Sequence, residues 1–411
     1  QNTPLKVDTG DTAWVLVSSA FVLAMLMPGL ALFYGGLVRT KNVLGTIMQS
    51  VMILSVVSLL WILFGYSLAF GPDKGGLIGG LEWVGLSGVG SEPHPVYGPT
   101  IPHQAFMLFQ LMFAAIAPAL ITGAFAERKR FTSVVLFAAL WSVFVYVPLA
   151  HWIWGGGWLA KLGALDFAGG AVIHISSGAA ALVCAIVLGK RRGYGTDYMA
   201  PHNLPMTLLG TGFLWFGWFG FNGGSALGAN GIAVSAIIAT HAAAAMGAIA
   251  WCGAEWAHRG KPTVLGVASG AVAGLATVTP AAGYISPMSA IAIGLVAGMT
   301  CYAAIVWKGR FGYDDSLDVV GIHGVGGVIG ILATGLFASK VVNPGGADGL
   351  FFGNPGLFGI QLLVAAVTTI FSIIGTFVIL KLVDSMTGLR VSSEEEATGL
   401  DLSQHNERAY S

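Results

Sequence analysis

Eleven apolar stretches, each near the roughly 20 residues an α-helix needs to cross a hydrocarbon core of about 30 Å, follow one another along this chain of 411 residues. They lie near residues 12–36, 43–71, 103–126, 131–153, 166–189, 203–226, 232–256, 263–281, 286–307, 317–339 and 357–385, and are called spans one to eleven here. In lipid a backbone must satisfy its own polar groups, which a helix does within one segment. A membrane β-barrel would instead show strands of alternating polarity, whereas these runs are continuously apolar. Only 9% of residues are charged, against about 25% in soluble domains, too few to solvate a globule of this size. The sequence therefore predicts an all-α integral membrane protein of eleven transmembrane helices.

The remaining composition excludes more than it suggests. Formal net charge is zero, so no electrostatic footprint for nucleic acid exists. Cys184, Cys252 and Cys301 all fall inside apolar runs without metal-like spacing, and read as small buried hydrophobes. The 60 glycines are spread through the spans without a period, which suits close helix packing in a bilayer. Nothing calls for a cofactor. The polar opening Gln1-Asn2-Thr3-Pro4-Leu5 is read either as the product of a removed signal peptide or as a chain that had none.

Lys and Arg set the orientation. The loops after spans one, three, five, seven and nine hold twelve of them and the opposite loops hold three, Lys74, Lys161 and Lys340. The N-terminus is predicted outside and the C-terminus in the cytoplasm. Residues 72–102 and 340–356 form external Gly- and Pro-rich loops, and the polar tail 387–411 buries too little apolar surface to fold alone.

Two stretches then echo each other. Asp166 stands eight residues before His174 at the start of span five, and Asp315 eight before His323 at the start of span ten. Eight residues is just over two turns, so each His lies on its Asp's face, roughly 12 Å deeper. Span five runs inward and span ten outward, which suggests inverted repeats over about 12–189 and 203–339, with 357–385 as an extra helix. The histidines then meet near the midplane, where inverted-repeat transporters place their sites. Intramembrane ionisable residues are costly and point to function. Desolvation favours the neutral ring, which offers one donor and one acceptor to a small neutral solute. A purely structural helix–helix hydrogen bond is the competing role. Asp166 reads both as an N-cap and as a group drawing cations to the outer mouth. Asp315 and Asp318 read mainly as caps, and His241 as structural.

Several motifs carry a family resemblance. Pro28-Gly29-Leu30-Ala31-Leu32-Phe33-Tyr34-Gly35-Gly36, Gly123-Ala124-Phe125-Ala126-Glu127-Arg128, His151-Trp152-Ile153-Trp154-Gly155-Gly156-Gly157 and Gly163-Ala164-Leu165-Asp166-Phe167-Ala168-Gly169-Gly170 are four of them. Pro201-His202-Asn203-Leu204-Pro205, Gly217-Trp218-Phe219-Gly220-Phe221-Asn222 and Gly321-Ile322-His323-Gly324-Val325 complete the set. Together they resemble the ammonium transporter (Amt/Mep/Rh) family, in its bacterial AmtB-like branch. The resemblance implies a transporter rather than an enzyme. It places ammonium recruitment at Phe113, Trp154, Ser225 and Asp166, a gate at Phe113 and Phe221, and a pore at His174 and His323. It further implies a homotrimer among lipids of a bacterial inner membrane, carrying ammonium or ammonia, with a proton as a candidate companion. A PII-type signalling protein would dock on the cytoplasmic tail. The competing reading is an ammonium sensor of the same fold with little flux.

Overall fold

The computed structural model describes residues 5–410; the question of the chain's opening lies largely outside them. Ten helices are long and apolar enough to cross a membrane: α1 Thr9–Leu37, α2 Thr40–Phe70, α3 His103–Phe125, α4 Phe131–Lys161, α5 Gly170–Leu188, α6 Leu204–Gly224, α7 Gly231–Arg259, α9 Pro287–Phe311, α10 Val320–Phe337 and α11 Pro355–Thr387. The all-α membrane architecture stands. Between α7 and α9 lies α8, Val264–Val278, of 15 residues, or roughly 22 Å.

That is shorter than the expected eighth span at 263–281. The cause is tertiary. Thr279–Gly283 leaves the helix and stays buried, with Pro280 O accepting from Phe167 N at 3.0 Å and its ring filling the space a Cβ on Gly170 would need. Non-helical backbone is tolerated at membrane depth where protein covers it.

α3 is the most enclosed span and packs at the centre of the largest core cluster, whereas α2, α7, α9 and α11 leave apolar side chains on the outside. α4 is interrupted at Trp154–Gly157. The loop 72–102, expected on the outside, is more ordered than its glycines suggest. It folds into two antiparallel hairpins, β1 Asp73–Lys74 with β2 Ile78–Gly79, and β3 Pro93–His94 with β4 Gly98–Pro102. Asp73 ties the first hairpin to α4 by accepting from Lys161 Nζ at 2.5 Å and His151 Nε2 at 3.0 Å. These bonds, Lys161 foremost, hold its carboxyl at about 2.

The cationic loops at the other end are not loose solvent loops. Glu127 and Asp314 are buried, and they bind Arg39 (2.8 Å) and Arg191 (3.3 and 2.9 Å). Burial raises the Glu127 carboxyl, but the Arg39 and Arg191 contacts outweigh it and hold the group below its usual value. The tail forms α12 Ser393–Thr398 and α13 Leu400–His405. As its composition requires, it folds against something else: Lys41, Asn42 and Gly45 at the start of α2.

Candidate functional site

Asp166 and Asp315 stand at the openings of α5 and α10, where each accepts from backbone N–H groups, Asp166 with both oxygens and Asp315 with one, its Oδ1 being buried without a partner among the described residues. Asp166 accepts from four backbone N–H groups, those of Gly169, Gly170, Ala171 and Val172, at 2.6–3.2 Å. Asp315 accepts from Val320 N at 2.8 Å. The residue three after each Asp is left-handed, Gly169 at φ 115° and Asp318 at φ 65°. Each chain then enters one turn of π-helix, Gly170–Ile175 and Val320–Val325, which carries the histidine. Such turns break the i−4 ladder and are common at functional sites. The echo heard in sequence is thus repeated in backbone conformation.

At the end of the bundle that carries loop 72–102 lies a cavity of about 550 Å³ whose lining includes Phe113, Trp154, Asp166 and Ser225. Four residues expected at one site from three helices and a loop are brought together. Trp154 Nε1 donates to the backbone oxygen of Asp166 at 2.7 Å, which fixes the indole and leaves its ring as a cavity wall. Ser225 Oγ donates to Phe221 O at 2.8 Å, so its remaining lone pairs are free to accept. The Asp166 carboxylate borders the cavity, yet both its oxygens are taken by backbone N–H groups.

The floor is aromatic. The Phe113 and Phe221 rings stack with centroids 4.3 Å apart and 25° between planes, and both are fully buried. Beneath Phe221, at 6.3 Å between centroids, lies the ring of His174. His174 Nδ1 and His323 Nδ1 are 3.2 Å apart, with the rings 20° from parallel. A hydrogen bond between two Nδ1 atoms needs one protonated and one bare nitrogen. One ring therefore presents an Nε2 acceptor and the other an Nε2–H donor. His174 Nε2 is buried without a hydrogen-bond partner among the described residues, an orphan that a polar permeant would satisfy. Beside His323, Tyr34, Leu120, Val319 and Ile322 line a cavity of only about 10 Å³.

Several wall residues escaped the sequence reading: Gln110, Tyr97, Phe167, Leu227 and Tyr284; Trp218, which packs beside His174, stands in one of the motifs three residues before Phe221. Gln110 had a usable signal, since it lies one turn from Phe113 on the same helix face. The other wall residues come from loops or other helices, where no local pattern announces them. His241, on the outside of α7, packs against Trp215 and Phe219, 5.4 and 6.0 Å away, and takes no part in this column.

A helical membrane protein whose cavity ends on stacked aromatic rings with a buried imidazole pair behind them has the build of a transport protein. The chain belongs to the Ammonium Transporter Family, whose model matches residues 13–410. It is 53% identical over 402 residues to an ammonium transporter of Bacillus subtilis (strain 168), covering 98% of both chains. It is 50% identical over 401 residues to ammonium transporter Amt1 of Archaeoglobus fulgidus, covering 98% of this chain and 99% of the other. Among solved structures, Saccharomyces cerevisiae Mep2 superposes with a TM-score of 0.88 at 38% identity, over 94% of this chain and 88% of the other. A structure described as a sensor Amt protein gives 0.86 at 31% identity, over 96% and 98%. The broad function is ammonium transport, and the protein is not an enzyme.

Proposed function

We propose that ammonium binds in the outer cavity, loses a proton there, and crosses as ammonia past Phe113 and Phe221 and along His174 and His323. The observation that carries this reading is the closed Phe113–Phe221 stack directly above the imidazole pair. Stripping a cation of water in a medium of low dielectric constant costs tens of kcal/mol by the Born estimate. Cation–π attraction supplies about 2 kcal/mol when desolvated, enough to collect ammonium at Trp154 and Phe113 but not to carry it through a dry column. Ammonia avoids the charge, and potassium, with no proton to lose, stops at the same step.

Within this scheme Ser225 Oγ accepts an ammonium N–H, and the Trp154 ring faces the cation. Asp166 contributes fixed negative charge and holds Trp154, while water in the cavity takes the proton. Below the rings ammonia donates to the bare Nε2 of one histidine and accepts from the Nε2–H of the other. The proton either crosses by a separate path, making transport electrogenic, or stays outside.

The test is current across proteoliposomes containing the purified chain after an ammonium jump, with potassium as control. A His174→Ala, His323→Ala double variant is expected to lose ammonium current or ammonium-over-potassium selectivity. Equal current with potassium still excluded sinks the histidine role. The likeness to a sensor Amt protein sustains one alternative, binding without bulk flux. Saturable ammonium binding with no flux in the wild type would favour it.

The same reading places the chain in a bacterial inner membrane as a homotrimer, N-terminus outside and C-terminus in the cytoplasm. The bias of cationic loops supports the orientation. The repeats at about 12–189 and 203–339 are supported by the matched Asp caps, left-handed residues and π-turns of α5 and α10.

A further inference from the structure

The outer cavity has a wall that no helix supplies. Val96 and Tyr97, at the tip of the β3–β4 hairpin, line it together with Phe106 of α3. What holds the tip is a side chain. The backbone N–H groups of Val96 and Tyr97 both donate to His94 Nδ1, each at 3.3 Å. This is the geometry of an Asx-turn, in which a side-chain acceptor gathers the N–H groups two and three residues on, with an imidazole nitrogen in place of a carboxamide oxygen. The arrangement continues by stacking. The His94 ring lies on Tyr97 at 4.8 Å and 18°, and Tyr97 lies on Phe106 at 5.1 Å and 15°. The Tyr97 hydroxyl donates to Gly155 O at 3.4 Å, one residue after Trp154.

We propose that His94 is a positioning residue for the outer mouth, an acid-released latch that keeps Val96 and Tyr97 in the cavity wall only while its Nδ1 is unprotonated. A protonated Nδ1 carries its own hydrogen and accepts nothing, so both tip contacts are lost in one step. An Asn or Asp latch would not respond in this way at moderate acidity, and imidazole is the side chain whose charge changes in that range.

The surroundings favour the neutral ring. His94 is packed by Trp83 of the preceding loop, edge-on at 5.4 Å, and by His103 of α3 at 4.7 Å. His103 is hydrogen-bonded to the Tyr66 hydroxyl of α2 at 2.5 Å. On its own hairpin the titratable neighbours are Tyr97 and exposed Glu92. Asp73, the carboxylate acting on Tyr97, is already committed to Lys161 and His151. Burial lowers the His94 ring from its ordinary 6.5. The sign follows: a histidine held neutral by the fold keeps the latch closed near neutrality and opens it as the outside pH falls through that lowered value.

The inference rests on the outer cavity being where ammonium arrives, so its test has two readouts. The first is hydrogen exchange of the 94–102 segment in the full chain without ammonium. The second is the KM for ammonium in proteoliposomes with outside pH stepped from about 7.5 down to about 4, because the ring's value lies below the ordinary histidine one. His94→Asn supplies an acceptor that does not titrate. It is expected to match the wild type near neutrality, and at the acid end of the series to exchange more slowly and keep a KM about fivefold lower, the equivalent of one net hydrogen bond. His94→Ala is expected to behave throughout the series as the wild type does in acid, with kcat little changed. Identical exchange of wild type and His94→Asn in acid overturns the latch. Different exchange with the same KM overturns its tie to ammonium capture but leaves the cavity assignment standing, which fails only if Trp154→Ala or Ser225→Ala also leaves the KM unchanged.

Discussion

Gly178 of α5 packs directly against the backbone of Gly324 of α10, where a Cβ on Gly178 would fall inside the envelope of Gly324 N and Cα. Gly178 is four residues past His174 and Gly324 is next to His323, so this crossing sets the separation of the two imidazoles. The contact is unequal. A Cβ on Gly324 would meet Gly178 at 3.5 Å, ordinary van der Waals contact. Gly178→Ala is therefore expected to destabilise by about 1–3 kcal/mol, the usual range for overpacking, and to reduce flux by parting the pair. Gly324→Ala is expected to be nearly neutral in both. Thermal melts and ammonium flux check this, and equal effects at the two positions would refute it.

Asp166 gathers four N–H groups that helix geometry leaves without partners. In Asp166→Asn only one oxygen can accept, and the amide nitrogen is turned toward donors. Leaving a buried donor unmet costs about 1–3 kcal/mol, so a lower melting temperature is expected. The carbonyl of residue 166 also anchors Trp154, so ammonium KM is expected to rise more than in Gln110→Ala, which touches the same cavity but holds nothing. An unchanged melt would show that the carboxylate is not the cap it is taken for.

The spans were legible because lipid imposes one demand over some 20 residues, and continuous apolarity is easily read. The Asp-to-His spacing was legible because a capping Asp and a buried His two turns apart belong to one helix. The early end of α8 was not, since it depends on Pro280 meeting Gly170, a contact between residues 110 apart. The same holds for the two hairpins of 72–102, the first fixed by the tertiary bonds of Asp73 to His151 and Lys161 and the second by a histidine standing in for the usual turn acceptor, in a stretch whose glycines read as loop. Phe113, Phe221 and Trp154 reached the site list through motif resemblance; periodicity alone leaves them among many packing aromatics. The Asp166 reading sharpened most: its oxygens serve the backbone, so its influence on a cation acts through charge at a distance.

Lys129 is fully buried between Phe125 and Phe137, with Nζ 4.2 and 3.8 Å from the ring centroids. Its Nζ has no hydrogen-bond partner among the described residues. Burial pushes the ammonium down to about 8 from 10.5, and the rings recover part of that cost. The fold thus favours the neutral amine: below about 8 the charge penalises the native state, and stability rises as pH climbs from there toward 10.5. Lys129→Met is expected to raise the melting temperature near neutral pH, with the gain shrinking toward the upper end of that window. Melts of both proteins across the range check it. A constant difference would mean that the amine is not titrating in the fold.

The tail is held by a few contacts that a short deletion removes together and that one substitution removes only in part. Lys41 Nζ donates to Glu396 O and Ala397 O at 3.0 and 2.6 Å, against the carbonyl end of α12, where a cation is favoured. Asp401 accepts from Gly45 N at 2.8 Å, and Arg390 pairs with Glu396 at 2.7 Å. Lys41 and Gly45 sit at the start of α2, whereas Arg390 lies within the tail itself, so these bonds pin α12 and α13 to α2. Deleting residues 392–411 is expected to alter flux or abolish binding of a PII-type protein. Lys41→Ala is expected to shift the same property in the same direction but less, since the other contacts remain. Flux in proteoliposomes and PII co-purification read the two arms. If neither changes in the deletion, the docked tail has no regulatory role and serves only to cover the ends of α2 and α4.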